Sequence, residues 1–194
     1  MAAFSCNGYT LESLEDSISG VAQSVKRNIG DGAKAWQPRI EARVWSREGL
    51  RSCLSLSAKM IRLVAGVSAS LDFVPRQRVG REETGLGGEA VFSVDAQSPE
   101  LVVLFIGDSP ETGQESVISK VVCLQYRPEY VQASIAKSIA LAQAKLKAET
   151  SLWHPQVGVR LSSDRRISPE LALSADIIQR MGSCEASLDF DPYV

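Results

Sequence analysis

ASLDFVP at residues 69–75 and ASLDFDP at residues 186–192 stand 117 residues apart and differ at one position. Extended backwards without a gap, WQPRIEARVWSREGLRSCLSLSAKMIRLVAGVSASLDFVP (36–75) lies over WHPQVGVRLSSDRRISPELALSADIIQRMGSCEASLDFDP (153–192), with fifteen of forty positions identical. Trp36/Trp153, Pro38/Pro155, Arg43/Arg160, Ser46/Ser163 and Ile61/Ile178 are among them, and Cys6/Cys123, Tyr9/Tyr126, Ser17/Ser134 and Ile18/Ile135 follow upstream at the same spacing. Missing such a repeat mis-assigns a fold, so it is read before any element. The expectation is an α/β protein of α+β type. Two tandem β-α-β-α-β repeats (1–75 and 118–194), related by an internal pseudo-two-fold, enclose an inserted segment (76–117) and pack as one two-lobed unit.

Each copy helps to read the other. Leu11, Leu14, Ile18, Val21, Val25 and Ile29 recur every three or four residues, the stripe of an amphipathic helix over 11–29 with Thr10 as its cap. Val131, Ile135, Ile139, Ala142 and Leu146 repeat that stripe after Pro128. Ile40, Ala42 and Val44 alternate with Arg39, Glu41 and Arg43, a half-buried strand, and Val157, Val159 and Leu161 match it. Residues 52–65 are ambiguous, because Leu54, Leu56, Ala58 and Met60 also alternate. In the second copy Ser168-Pro169-Glu170 reads as a cap, a first-turn proline and a first-turn acid, which predicts helices over 52–65 and 169–181. Closing strands follow at 67–73 and 186–190. The insertion is expected to hold a polar loop (76–88), strands at Ala90–Val94 and Leu101–Ile106 turning at Gln97-Ser98-Pro99, and a second polar loop (107–116). If both strands belong to the second copy, the first copy is left with an exposed sheet edge that a partner or a second chain must cover.

Composition narrows the function classes. The chain of 194 residues is 44% hydrophobic and 23% charged with a net charge of −2, an ordinary globular balance that gives no polyanion-binding signal. No apolar run reaches the roughly 18 residues of a membrane span, and the first residues do not form a secretory signal. Cys6, Cys53, Cys123 and Cys184 are far apart with His154 as the single histidine, so a metal site is not expected. Reduced thiols and a cytoplasmic location are expected, and no cofactor.

Each motif has a bland reading beside a chemical one. TGLGGEA (84–90) is glycine-rich but runs toward a strand with no following Lys-Ser/Thr, which favours a loop over a phosphate cradle. His154 would have to serve any Ser-His-Asp or Cys-His arrangement, yet Gln37 stands at the matching place, which favours a surface or capping role. Asp72 and Asp189 occur in both copies, so they fit the shared scaffold better than catalysis, as cross-strand ion pairs with Arg43 and Arg160 respectively. Trp36 and Trp153 fit packing anchors, with ligand stacking the lesser reading. Arg76, Arg78 and Arg81 are followed at once by Glu82 and Glu83, too mixed for nucleic acid.

The helix-and-strand endings SLSAKMIRLVAGVSASLDFVP and ALSADIIQRMGSCEASLDFDPYV resemble the closing segments of uncharacterised bacterial α/β domains, over about 25 residues of each copy. There, a Leu-Ser-x-Glu-type helix leads into a Leu-Asp-Phe/Ile-Asp-x-Tyr strand. Ala58, Ala175 and Val74 depart from that pattern. The resemblance implies no enzyme activity, and some small bacterial proteins of this look act as immunity proteins. The expected function is a non-enzymatic protein-binding module of the immunity type, neutralising a protein partner. A self-assembling structural or viral protein, dimerising through an exposed sheet edge, is the alternative, and a cysteine or carboxylate enzyme using His154 comes third. The inserted polar segments, the unmatched His154 and the last few residues carry the expected partner-binding residues: Arg76, Arg78, Arg81, Glu82, Glu83, Asp108, Glu111, Glu115, His154 and Tyr193.

Overall fold

The computed structural model describes residues 11–29, 38–46, 53–77, 100–123, 126–146, 150–162 and 170–191. Along the chain these form α1 (Leu11–Ile29), β1 (Arg39–Ser46), β2 (Leu54–Leu56), α2 (Ala58–Gly66), β3 (Ser70–Gln77), β4 (Glu100–Asp108), β5 (Glu115–Cys123), α3 (Pro128–Leu146), a 3₁₀ turn (Thr150–Trp153), β6 (Gln156–Ser162), β7 (Leu171–Leu173), α4 (Ala175–Ser183) and β8 (Ser187–Asp191). The protein is mixed α/β, with two mixed sheets ordered β1-β3-β7 and β2-β8-β6-β4-β5.

The long helices follow their stripes. Leu14, Ile18 and Ala22 of α1, and Val131, Ile135, Ile139 and Ala142 of α3, are buried. Each sheet centres on a parallel pair, β1 with β3 and β6 with β8, as βαβ-like crossovers require.

The expected helices over 52–65 and 169–181 begin too early. Leu54–Leu56 and Leu171–Leu173 are short strands whose leucines are buried, and the helices start only at Ala58 and Ala175. Ser57 and Ser174 are the N-caps, their side chains accepting from Met60 N and Ile177 N; Glu170 precedes β7, and Ser168 and Pro169 lie outside the described residues. The alternation of Leu54 and Leu56 was therefore a strand signal, and its cause is non-local. β2 pairs antiparallel with β8, and β7 pairs antiparallel with β3. Each half of the chain thus lends a strand to the other half's sheet.

These contacts recur at the 117-residue spacing. Leu54 opposes Phe190 as Leu171 opposes Phe73, and Leu56 opposes Leu188 as Leu173 opposes Leu71. Glu15 accepts from Ser57 N (2.5 Å), while Gln132 accepts from Ser174 N (3.2 Å). Arg62 pairs with Glu185 (2.9 Å), while Gln179 donates to Ser68 (3.4 Å). The closing strands also start later than expected, at Ser70 and Ser187, because a turn precedes each one. Its pivots, Ser68 and Glu185, take left-handed φ angles of 52° and 56°.

The two halves meet in one core. The rings of Phe73 and Phe190 pack edge to face with centroids 6.4 Å apart, and both residues are fully buried. Alongside them α2 crosses α4 so closely that a Cβ on Gly182 would stand 3.2 Å from the Ala65 Cβ. The insertion is also redrawn. Leu101–Ile106 belongs to β4, but β4 forms its hairpin with β5, and the polar loop shrinks to 109–114. Ala90–Val94, the turn at 97–99 and the loop 76–88 beyond Gln77 lie outside the described residues. Among the described residues no strand lies beyond β1 or beyond β5.

Phe190→Ala is expected to lower unfolding free energy by about 3–5 kcal/mol, through lost burial plus a cavity that both sheets line. Denaturant unfolding should show one transition shifted as a whole. Two separate transitions, or a loss below about 1 kcal/mol, would contradict a common core.

Candidate functional site at the hairpin end of the five-stranded sheet

β4 and β5 extend the second sheet beyond β6. The register shifts by one residue between Phe105 and Ile106, so Phe105 opposes Ser119 and Ile106 opposes Val117, leaving Ile118 as a bulge. A bulge re-aims side chains. Here it turns Ile118 and Ser119 inward in succession and sends Val117 outward. Two ties hold it. Ser119 Oγ donates to the Ser138 carbonyl (2.8 Å) and lies 2.7 Å from Ser138 Oγ, both residues being buried. Lys145 Nζ donates to the Ile118 carbonyl (2.5 Å).

The turn that follows β4 is built from its own polar groups. Ser109 N donates to Gln114 O (2.9 Å) and Gly113 N to Ser109 O (2.7 Å), and Gly113 has φ +66°, where a side chain is strained. Opposite, the 3₁₀ turn brings Trp153 against the core as a packing anchor. A Cβ on Gly107 would meet the Trp153 carbonyl oxygen at 2.9 Å, Ile118 Cδ1 at 3.0 Å and Trp153 Cβ at 3.1 Å. Gly107 therefore lets the hairpin and the 3₁₀ turn close on each other.

This junction gathers four of the residues singled out from sequence. Asp108, Glu111 and Glu115 line the hairpin tip, all exposed, with Asp108 opposite Glu115 in the ladder. His154 follows Trp153, exposed, with φ 44°, a conformation in which histidine is enriched among non-glycine residues. Sequence reading missed the apolar component. Val117 is 57% exposed and Leu152 is 58% exposed. Val117 lies opposite Ile106 in the ladder, on the sheet face away from Gly107, Ile118 and Trp153, so it and Leu152 are two separate exposed positions. No group of three or more His, Cys, Asp or Glu among the described residues is placed to hold a metal ion. The other expected partner-binding residues are not brought here. Arg76 lies on β3, in the other sheet, and Arg78, Arg81, Glu82, Glu83 and Tyr193 lie outside the described residues.

The carboxylates shared by both halves behave as ion pairs, with one change of partner. Arg160 Nη2 pairs with Asp189 Oδ2 (2.6 Å), as expected, and Nη1 donates to the Asp189 carbonyl (3.1 Å). In the first half Arg43 instead pairs with Glu41 (2.5 Å), and Asp72 is held by Arg39. The reason is one residue: position 158 is glycine, so the Arg160 guanidinium lies over it at about 3.7 Å from where a Cβ would be. Glu41 fills the matching position and captures Arg43.

Beside the Arg160 pair, β2–β8 pairing brings Cys53 Sγ to 3.7 Å from Asp191 Oδ1. Burial, and then Asp191, push the Cys53 thiol above its ordinary range, and burial does the same for Cys184. In both, the neutral thiol is favoured over the thiolate. Comparison with protein families, with curated proteins and with solved structures finds no match to this chain.

Gly107→Ala is expected to cost about 1–3 kcal/mol and to loosen the junction, because the new methyl meets a backbone oxygen. Comparison of unfolding midpoints with Gly66→Ala, where a Cβ has nothing within 4 Å, checks this. The thiols give a pH test. Folded Cys53 and Cys184 titrate higher than unfolded thiols, so the unfolded chain loses protons first and their contribution to stability falls as pH rises above about 8.5. Alkylation of both cysteines near that pH should be at least about tenfold slower in the native chain than in denaturant.

Proposed function

We propose that the chain is a tandem duplication related by an internal pseudo-two-fold, and that it works as a non-enzymatic protein-binding module. Its type would be that of an immunity protein, held in the cytoplasm and neutralising a protein partner. The recurrence of the β2–β8 and β3–β7 registers at 117 residues supports the duplication, as does the likeness of the closing segments to bacterial α/β domains. What the two halves share is then scaffold, and binding falls to what they do not share.

The observation that carries the binding reading is the exposure of Val117 at the hairpin end, one of the two most exposed large hydrophobic residues described, on the same sheet face as Asp108 and Glu115. Exposed apolar side chains grouped inside a polar rim mark interaction surfaces on water-soluble proteins. Here Asp108, Glu115 and Lys120 share the face of Val117, and Glu111 stands in the adjoining turn. Self-assembly is the second reading, favoured by β1 and β5 standing at the outer ends of the sheets.

The tagged chain should recover a protein from its natural source that the Val117→Glu, Leu152→Glu variant, melting at the same temperature, fails to recover. Undiminished recovery by the variant would overturn the site. A concentration-dependent dimer in light scattering, lost in the same variant, would replace partner binding with self-assembly.

A further inference from the structure

We propose that β1 pairs with β1 of a second copy of this chain, antiparallel about a two-fold axis beside Ala42. The inference rests on the self-assembly reading above and names its edge and register. In the second half β6 lies between β8 and β4. Its counterpart at the 117-residue spacing, β1, has β3 on one side and, among the described residues, no strand on the other. The two strands aim their backbone groups alike. Ser70 N donates to Pro38 O (2.9 Å) as Ser187 N donates to Pro155 O (2.9 Å). Ile40, Ala42 and Val44 therefore turn their backbone groups to β3, as Val157, Val159 and Leu161 turn theirs to β8. The alternate residues of β6, Gln156, Gly158, Arg160 and Ser162, stand opposite Ile106, Leu104, Val102 and Glu100 of β4. The matching residues of β1, Arg39, Glu41, Arg43 and Trp45, aim the same groups to the side on which β6 meets β4. The other sheet ends are less suited to pairing. β2 and β7 have three residues each, and the bulge breaks β5 where Lys145 donates to the Ile118 carbonyl. β1 has eight residues in unbroken register with β3.

Charge complementarity selects the occupant. The face of β1 turned away from the core carries Arg39, Glu41 and Arg43, all exposed, and Arg43 pairs with Glu41 on its own strand (2.5 Å). With Ala42 at the axis, Glu41 stands across from Arg43 of the second copy, and Arg43 across from its Glu41. These are two cross-strand pairs of opposite charge. The same register sets Arg39 opposite Trp45 and Ile40 opposite Val44, so the outward backbone groups of all four alternate residues meet. A slip of one residue sets the outward residues of one copy against the buried Ile40 and Ala42 of the other. A slip of two sets Glu41 against Glu41 or Arg43 against Arg43. One register thus satisfies backbone, burial and charge together, and the two-fold makes each contact twice.

The test is sedimentation equilibrium of the full chain, which should show monomer and dimer exchanging by mass action between about 1 and about 500 µM. Glu41→Arg alone and Arg43→Glu alone should each weaken the dimer at least about tenfold, because each sets like charges opposite one another. An equimolar mixture of the two variants should regain the native association within about threefold, as a heterodimer in which two arginines face two glutamates. That recovery also shows that both variants fold. The amides of Arg39, Glu41 and Arg43 should exchange slowly in the dimer and quickly in the diluted monomer. A chain that stays monomeric to about 500 µM overturns this pairing and the self-assembly reading together. A dimer that neither reversal weakens, or reversals that the mixture does not rescue, overturns the β1 pairing and leaves self-assembly standing. Slow exchange of the same amides in the diluted monomer overturns the pairing as well, because the chain itself then covers this edge.

Discussion

The exchange of two three-residue strands between the halves of the chain is the constraint on which the other elements depend. Leu54 and Leu56 pair with β8, Leu171 and Leu173 pair with β3, and all four are buried. Strands this short have no stability alone. They exist because each fills a sheet position beside the opposite closing strand, where burying each leucine is worth about 1.5–3 kcal/mol. Their ends place the next elements: Ser57 and Ser174 leave the strands and at once cap α2 and α4. Those helices then meet at Ala65 and Gly182, beside the contact of Phe73 with Phe190. Strand exchange, helix contact and aromatic contact are one arrangement, and none of them forms from one half of the chain.

This frame explains why the hairpin end is exposed and ordered at once. β6 is fixed by β8 on one side, so its other side offers an edge that β4 and β5 extend. The bulge at Ile118 bends the last strand inward toward α3, and buried Ser119 and Ser138 satisfy each other there. Val117 is forced outward by the same shift of register. The exposure of Val117 is therefore a product of packing.

Much of the scaffold was legible in residue pattern. The stripes of α1 and α3 and the alternation of β1 and β6 follow from local periodicity, which burial on one face imposes. The repeat moved Asp72 and Asp189 from candidate site to scaffold, and both are held by arginines. The exact partner was not legible for Asp72, because Glu41 in place of Gly158 diverts Arg43 sideways. The starts of α2 and α4 were misplaced for a related reason. Leu54 and Leu56 carry the same alternation whether or not a distant strand is present, and only β8 makes it a strand. At the hairpin, the acids Asp108, Glu111 and Glu115 and the solitary His154 were visible as unshared polar residues, whereas Val117 and Leu152 looked like ordinary apolar positions.

By itself the sequence determined the composition of the unit: which helices and strands exist, which residues recur 117 apart, and which stretch is unshared. These are local or self-referential properties, written in period and repetition. The tertiary structure alone decided that the halves exchange strands, that a bulge turns Val117 outward, and that Gly107 admits Trp153 beside it. Each of those depends on an approach between residues far apart in the chain, down to 2.9 Å at Gly107, and no local pattern encodes such a distance.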